Sequence, residues 1–156
     1  MKMRLALAVF LCGGVGYAAP ETRSWSGFAG DPQHTAQAPA ESQLLRRIHW
    51  QTPVDLSPQY SESGTLLVHY GSPLVTAGNT VIVPVKTGAE GDFRVEARSG
   101  IDGALQWSLP TDYILPRHDW TPVFGPVLTL DRLGRPEPRL YFPGAGGTVR
   151  FRDRPD

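Results

Sequence analysis

Beyond residue 44 the chain alternates short apolar runs with clusters of glycine, proline and small polar residues. "LRRIHWQ" (residues 45–51) places Ile48 and Trp50 on one side of a predicted short strand, and "SPQYSESG" after it reads as a loop. Further strands are predicted in "TLLVHY", "SPLVTA", "VIVPVK", "DFRVEAR" and "ALQWSLP". Gly78-Asn79 and Asp102-Gly103 fall between strands, where tight hairpins place residues that tolerate positive φ. No window carries the i, i+3, i+4, i+7 apolar stripe of a helix, so the pattern predicts an all-β chain.

The runs also repeat. "WQTPVD" (residues 50–55) returns as "WSLPTD" (107–112), an offset of 57. "VIVP" (81–84) returns as "LYFP" (140–143), offset 59, and "GDFRVEAR" (91–98) as "GTVRFRDR" (147–154), offset 56. "HYGSPL" (69–74) answers "HDWTPV" (118–123) at offset 49, with "GPVLTLDRLGRPEP" read as a longer loop in the second copy. Four matches in the same order describe a unit of four short strands in about 50 residues, the size of one propeller blade.

"GSPLVTAGNTVIVPVKTGAEGDFRVEARSGIDGALQWSLP" resembles a repeat of the pyrroloquinoline-quinone-type (quinoprotein-like) β-propellers, with Ala97, Gly100, Gly103 and Trp107 at the places that mark the end of a blade. "WSGFAGDPQHT" (25–35) resembles the segment that precedes the first blade in that family. The resemblance implies antiparallel four-stranded blades in which Trp50 and Trp107, on outermost strands, cover the junction between neighbours, an aromatic burial worth about 3 kcal/mol. A third W-x-x-P would fall about one 57-residue step past Trp107, near residue 164. On that ground the chain is expected to be a truncated or fragmentary propeller: a lone outer strand, one blade and three strands of a second.

The N-terminus adds a compartment. "MKMRLALAVFLCGGVGYAAPE" has basic Lys2 and Arg4, an apolar run and then small residues, the layout of a signal peptide, with Gly16 and Ala18 placed for cleavage after Ala18. The expected division is signal peptide 1–18, irregular lead-in 19–44 and repeats 45–156, exported to the periplasm or outside. The apolar run is too short to span a bilayer, and Leu11 before Cys12 does not fit a lipid-attachment motif. Cys12, the sole cysteine, leaves with the signal, so the mature chain is expected to have no disulfide and no thiolate ligand. Charge is balanced at 15 basic and 15 acidic residues, and no arginine cluster forms, so nucleic acid is not an expected partner.

Candidate chemistry is sparse. His69 and His118 share a place in the repeat as matched above. Either both imidazoles sit at a channel mouth as ligands or proton carriers, or both cap a turn that recurs with the blade; the second is preferred. His34 and His49 are expected at exposed or edge positions. Asp55, Asp112 and Asp119 lack calcium-loop spacing, and "PGAGGT" precedes a strand and lacks a phosphate-binding lysine. Neither pyrroloquinoline quinone nor calcium is expected. The reading is a binding or scaffolding module whose partner is another protein or further blades. The alternatives are the N-terminal piece of a quinone-dependent dehydrogenase and, more weakly, a stand-alone β-sandwich.

Overall fold

A computed structural model describes residues 24–38, 44–67, 71–89, 92–114, 125–129 and 138–156. The expected signal peptide, His69 and His118 lie outside these residues. The described chain is all-β, with no α-helix, and its strands pair antiparallel in sheets of two, four and three. The small sheet joins β1 (Gln59–Tyr60) to β2 (Leu66–Leu67). The second runs β3 (Leu74–Val75), β4 (Thr80–Lys86), β5 (Phe93–Ser99), β6 (Leu105–Pro110) in order. The third runs β7 (Val127–Thr129), β8 (Arg139–Pro143), β9 (Val149–Asp153).

Local chemistry explains the turns. Asn79, with φ 64°, reverses the chain between β3 and β4, and Gly103, with φ 74°, does so between β5 and β6. Asn and Gly are the residues that reach this left-handed region at least cost. Pro84 sits inside β4, which a central strand would not tolerate. Here β3 has already ended, its last pairs being Leu74 with Ile82 and Val75 with Val81. Beyond it, β4 bonds to the incoming chain instead: Lys86 N–H donates to Val54 O and Leu56 N–H to Lys86 O, both at 2.9 Å.

Cross-strand partners share a side of the sheet. Ile82, Ala97 and Trp107 therefore face one way together, as do Val95 and Leu109. This side meets Leu128, Leu140 and Phe142 of the three-stranded sheet, and the two form one apolar core with Leu74 and Phe93, flanked by Trp107, Leu109 and Tyr113. The other side of β5 carries charge. Glu96, nearly fully buried, takes Arg94 Nε at 2.7 Å and Arg98 Nε at 2.8 Å, while Arg98 Nη1 donates to Gly103 O at 2.9 Å. A buried carboxylate needs such partners, since its oxygens have left the water that would otherwise donate to them.

Three expected elements change. Residues 45–51 pair with no strand among the described residues, and Ile48 is 78% exposed while Trp50 is half-buried. An extended run becomes a strand only beside a partner. The expected loop "SPQYSESG" contains β1, because Ser61 N–H closes a tight turn on Thr65 O at 2.8 Å and returns the chain along β2. The expected long loop "GPVLTLDRLGRPEP" opens with β7, which pairs Val127 with Tyr141 and Leu128 with Leu140. This register puts Val127 and Leu128 where Leu74 and Val75 stand in the first unit, so Pro126, not Pro122, answers Pro73.

Candidate functional site

The two W-x-x-P-x-D phrases each reach into the unit that follows, the indole to a backbone carbonyl and the aspartate to the end of the matching strand. Trp50 Nε1 donates to Gly100 O at 3.2 Å, and its ring lies so close to Gly103 that a Cβ there would come within 2.8 Å. The structure thus brings Trp50, Gly100 and Gly103 together, and Gly103 is fixed as glycine twice over, by its φ and by the indole. Trp107 Nε1 donates to Pro155 O at 3.0 Å, and the Arg152 guanidinium stands 4.3 Å over its ring centre. Gly100 and Pro155 both lie just past the arginine that closes "FRVEAR" and "VRFRDR". Each tryptophan therefore reaches a backbone carbonyl one or two residues past the matching arginine of the unit that follows it.

The aspartates do likewise at the other end. Asp55 forms a parallel bridge with Lys86, and Lys86 Nζ, fully buried, lies 3.5 Å from Asp55 Oδ1 while donating to Ser57 O. Asp112 accepts the Ala145 N–H at 3.1 Å and the Arg150 guanidinium. Lys86 and Ala145 each stand two residues beyond the proline that closes "VIVP" and "LYFP". Asp55 and Asp112 hold the following unit at the end of its central strand; they are not free acids.

The Ala145 N–H, then Arg150, hold the Asp112 carboxyl below its ordinary value. As the solution is acidified the unfolded chain takes up this proton first, so the contribution of Asp112 is full above the ordinary value of about 3.9 and is lost as pH falls through the lower folded one. The stability difference between the native chain and Asp112→Asn is expected to be constant near neutrality and to shrink below about pH 4. Urea midpoints of both chains across that range measure it, and a gap that widens on acidification contradicts the contact.

A second candidate lies where the lead-in threads between the sheets. Trp25 exchanges backbone bonds with Val75 at 2.8 and 3.0 Å, and Leu128 N–H donates to Ser26 O at 2.8 Å, so residues 25–26 bridge the first strands of both sheets. Beside them a cleft of about 260 Å³ is lined by Ser26, Phe28, Asp31, His34, Ser72 and Pro126 among others. Ser26 and Asp31 are committed to the turn. Ser26 Oγ donates to Gly30 O at 3.2 Å, and Asp31 takes the Thr35 hydroxyl and the Gln33 N–H (2.8 Å), the hydroxyl above all keeping its carboxyl below the usual range. The His34 ring stands edge-on to Phe28 at 5.6 Å. These are the bonds of a turn, not of a base poised on a nucleophile.

His49 is exposed. Among the described residues, no three or more His, Cys, Asp or Glu side chains gather where a metal could be held, and no helix is long and apolar enough to cross a membrane. Lys86 carries a sequence signal of its own, being the one lysine beyond residue 2 and set in an apolar strand. The acceptors of the two indoles had none, being backbone carbonyls. The repeated contact stands on its own geometry, for no family model, curated protein or solved structure matches the chain.

Proposed function

We propose that the chain is an exported β-propeller repeat protein of quinoprotein-like type, acting as a binding or scaffolding module, with the four- and three-stranded sheets as successive blades. The observation that carries this reading is the doubled contact: Trp50 to Gly100 with Asp55 at Lys86, and Trp107 to Pro155 with Asp112 at Ala145. One phrase used twice to join a unit to the next is what a quasi-one-dimensional stack needs, since each repeat touches only its neighbours. Neither candidate region pairs a nucleophile with a base, so recognition rather than turnover is the role assigned. The leader is removed after Ala18, and the module works without pyrroloquinoline quinone or calcium.

One experiment separates the parts of this reading. In the nitrogen-labelled exported chain, with signals assigned through the W50F and W107F variants, the Trp107 indole proton is expected to exchange slowly with solvent and that of Trp50, on the unpaired run, faster than Trp107 but slower than a free indole. Adding pyrroloquinoline quinone with calcium is expected to leave the spectrum unchanged. Rapid exchange at both indoles would overturn the stacked blades, and saturable shifts complete at one equivalent would overturn the cofactor-free module.

A further inference from the structure

In the lead-in, "FAGDPQH" (residues 28–34) folds into a turn that sets two aromatic rings and a carboxylate beside one cleft. Phe28 and His34 stand with ring centres 5.6 Å apart and planes at 81°, so they wall a corner rather than stack. Asp31 lies midway between them in the chain, and all three line the cleft of about 260 Å³. Pro32, Pro126 and Leu128 add apolar wall, and no lysine or arginine among the described residues lines it.

The turn is set before any ligand arrives. Ser26 N–H donates to Gly30 O at 2.9 Å, and Ala36 N–H donates to Ala29 O at 2.8 Å. Gly30 packs so tightly on the Trp25 ring that a Cβ would come within 3.0 Å. Ala29 and His34 hold φ at 54° and 55°, a region that residues other than glycine seldom adopt. Such backbone persists only where its surroundings over-determine it, and it collects at ligand clamps. Phe28 nonetheless stays 66% exposed. A turn serving stability alone gains little from an aromatic ring held out in water.

The Asp31 carboxylate takes the Gln33 N–H at 2.8 Å, the Thr35 N–H at 3.3 Å and the Thr35 hydroxyl. These donors are neutral, so they fix the group in place without cancelling its charge. A carboxylate has roughly four acceptor positions, which leaves one unused by these bonds. We propose that the cleft binds a small free organic cation, a methylated ammonium compound, recognised by the Phe28 ring face and the Asp31 carboxylate. A negative ring face and a fixed carboxylate attract the same ligand, whereas an anion would be repelled by both. Methylation suits the apolar wall, because it removes N–H donors that the cleft would otherwise have to satisfy. The cleft is smaller than the ~300 Å³ at which sites for drug-sized ligands begin, so its occupant is small. This gives the binding role proposed above a ligand class, but it stands on the cleft and not on stacked blades.

The test titrates the full nitrogen-labelled exported chain with choline and, separately, with its neutral isostere, in which carbon replaces the ammonium nitrogen. Choline is expected to give saturable shifts at the amides of residues 26–35, and the isostere to bind about tenfold more weakly. Phe28→Leu keeps apolar bulk at an exposed position and removes the ring face, so choline should bind about two- to fivefold more weakly. Asp31→Asn keeps an acceptor for the turn and removes the charge, with an expected loss of about fivefold. Equal affinity for choline and the isostere in the native chain overturns the inference whatever the variants do. Absence of saturable shifts overturns it as well, and so does a Phe28→Leu chain that binds as tightly as the native one. Sedimentation of the chain with phosphatidylcholine vesicles overturns the free ligand in favour of a lipid headgroup. Choline binding that persists while both indoles exchange as fast as free ones would leave this inference standing and remove the stacked blades.

Discussion

Replacing Phe93 with alanine is expected to destabilise the chain by about 3–5 kcal/mol. Phe93 is 2% exposed at the start of β5, part of the core shared by both sheets, with its ring 5.9 Å from that of Tyr113. Truncation removes the transfer free energy of a whole ring and leaves a cavity that neighbours on paired strands cannot fill without breaking their ladders. A domain of this size has about 5–15 kcal/mol in total, so much of the margin goes. Phe151→Ala is the internal control: the same atoms leave an aromatic that is 55% exposed, with Arg139 stacked 4.2 Å from its ring centre. Its expected cost is below about 1 kcal/mol. Urea midpoints for the two variants decide the point, and equal losses would mean that the core does not lie between the sheets.

The contrast between these phenylalanines shows what the sequence could and could not convey. β4, β5 and β6 were legible because alternation, Gly78-Asn79 and Asp102-Gly103 all agreed, and the observed strands fall within a residue or two of the predicted runs. β1 was not, because a two-residue strand inside "SPQYSESG" is shorter than any period that could announce it, whereas β2 falls inside the predicted run "TLLVHY". β7 was hidden by its setting: three strand residues followed by "DRLGRPEP" look like the entrance to a loop, and only pairing with Tyr141 and Leu140 makes them a strand. Residues 45–51 show the converse. Their pattern is that of a strand, but the ladder requires a neighbour that periodicity cannot supply.

The contact residues divide along similar lines. The repeat singled out Trp50, Trp107, Asp55 and Asp112 by spacing alone. What each touches depended on the fold, since Lys86 lies 31 residues from Asp55 and Pro155 lies 48 from Trp107. Arg152 over the Trp107 ring was equally invisible, because an arginine at the end of a strand ordinarily reads as solvated surface. Repetition identifies positions that must do the same thing; it is silent on what that thing is until both surroundings are seen.

That distinction makes the two tryptophans behave unequally, although their phrases match. Trp107 lies in a paired strand, packs on the common core, donates to Pro155 O and carries Arg152 over its face. Trp107→Ala is expected to cost about 3 kcal/mol, the lower end for such truncations because the indole is only half-buried. Trp107→Phe, which keeps most of the ring, should lose about 1 kcal/mol through the missing N–H donor and the weaker cation–π face. Trp50 instead anchors an unpaired run to Gly100 and Gly103. Trp50→Ala should therefore leave the urea midpoint of an isolated molecule within about 0.5 kcal/mol, as for changes outside the cooperative core. Its effect appears locally: exposed Arg46 and Arg47 become faster sites of trypsin cleavage once the indole no longer ties residues 44–51 to the turn. Midpoints and cleavage rates read on the same three variants separate the cases. If Trp50→Ala lowers the midpoint as far as Trp107→Ala, the lone strand belongs to the cooperative core, and the unequal roles assigned to the two phrases are wrong.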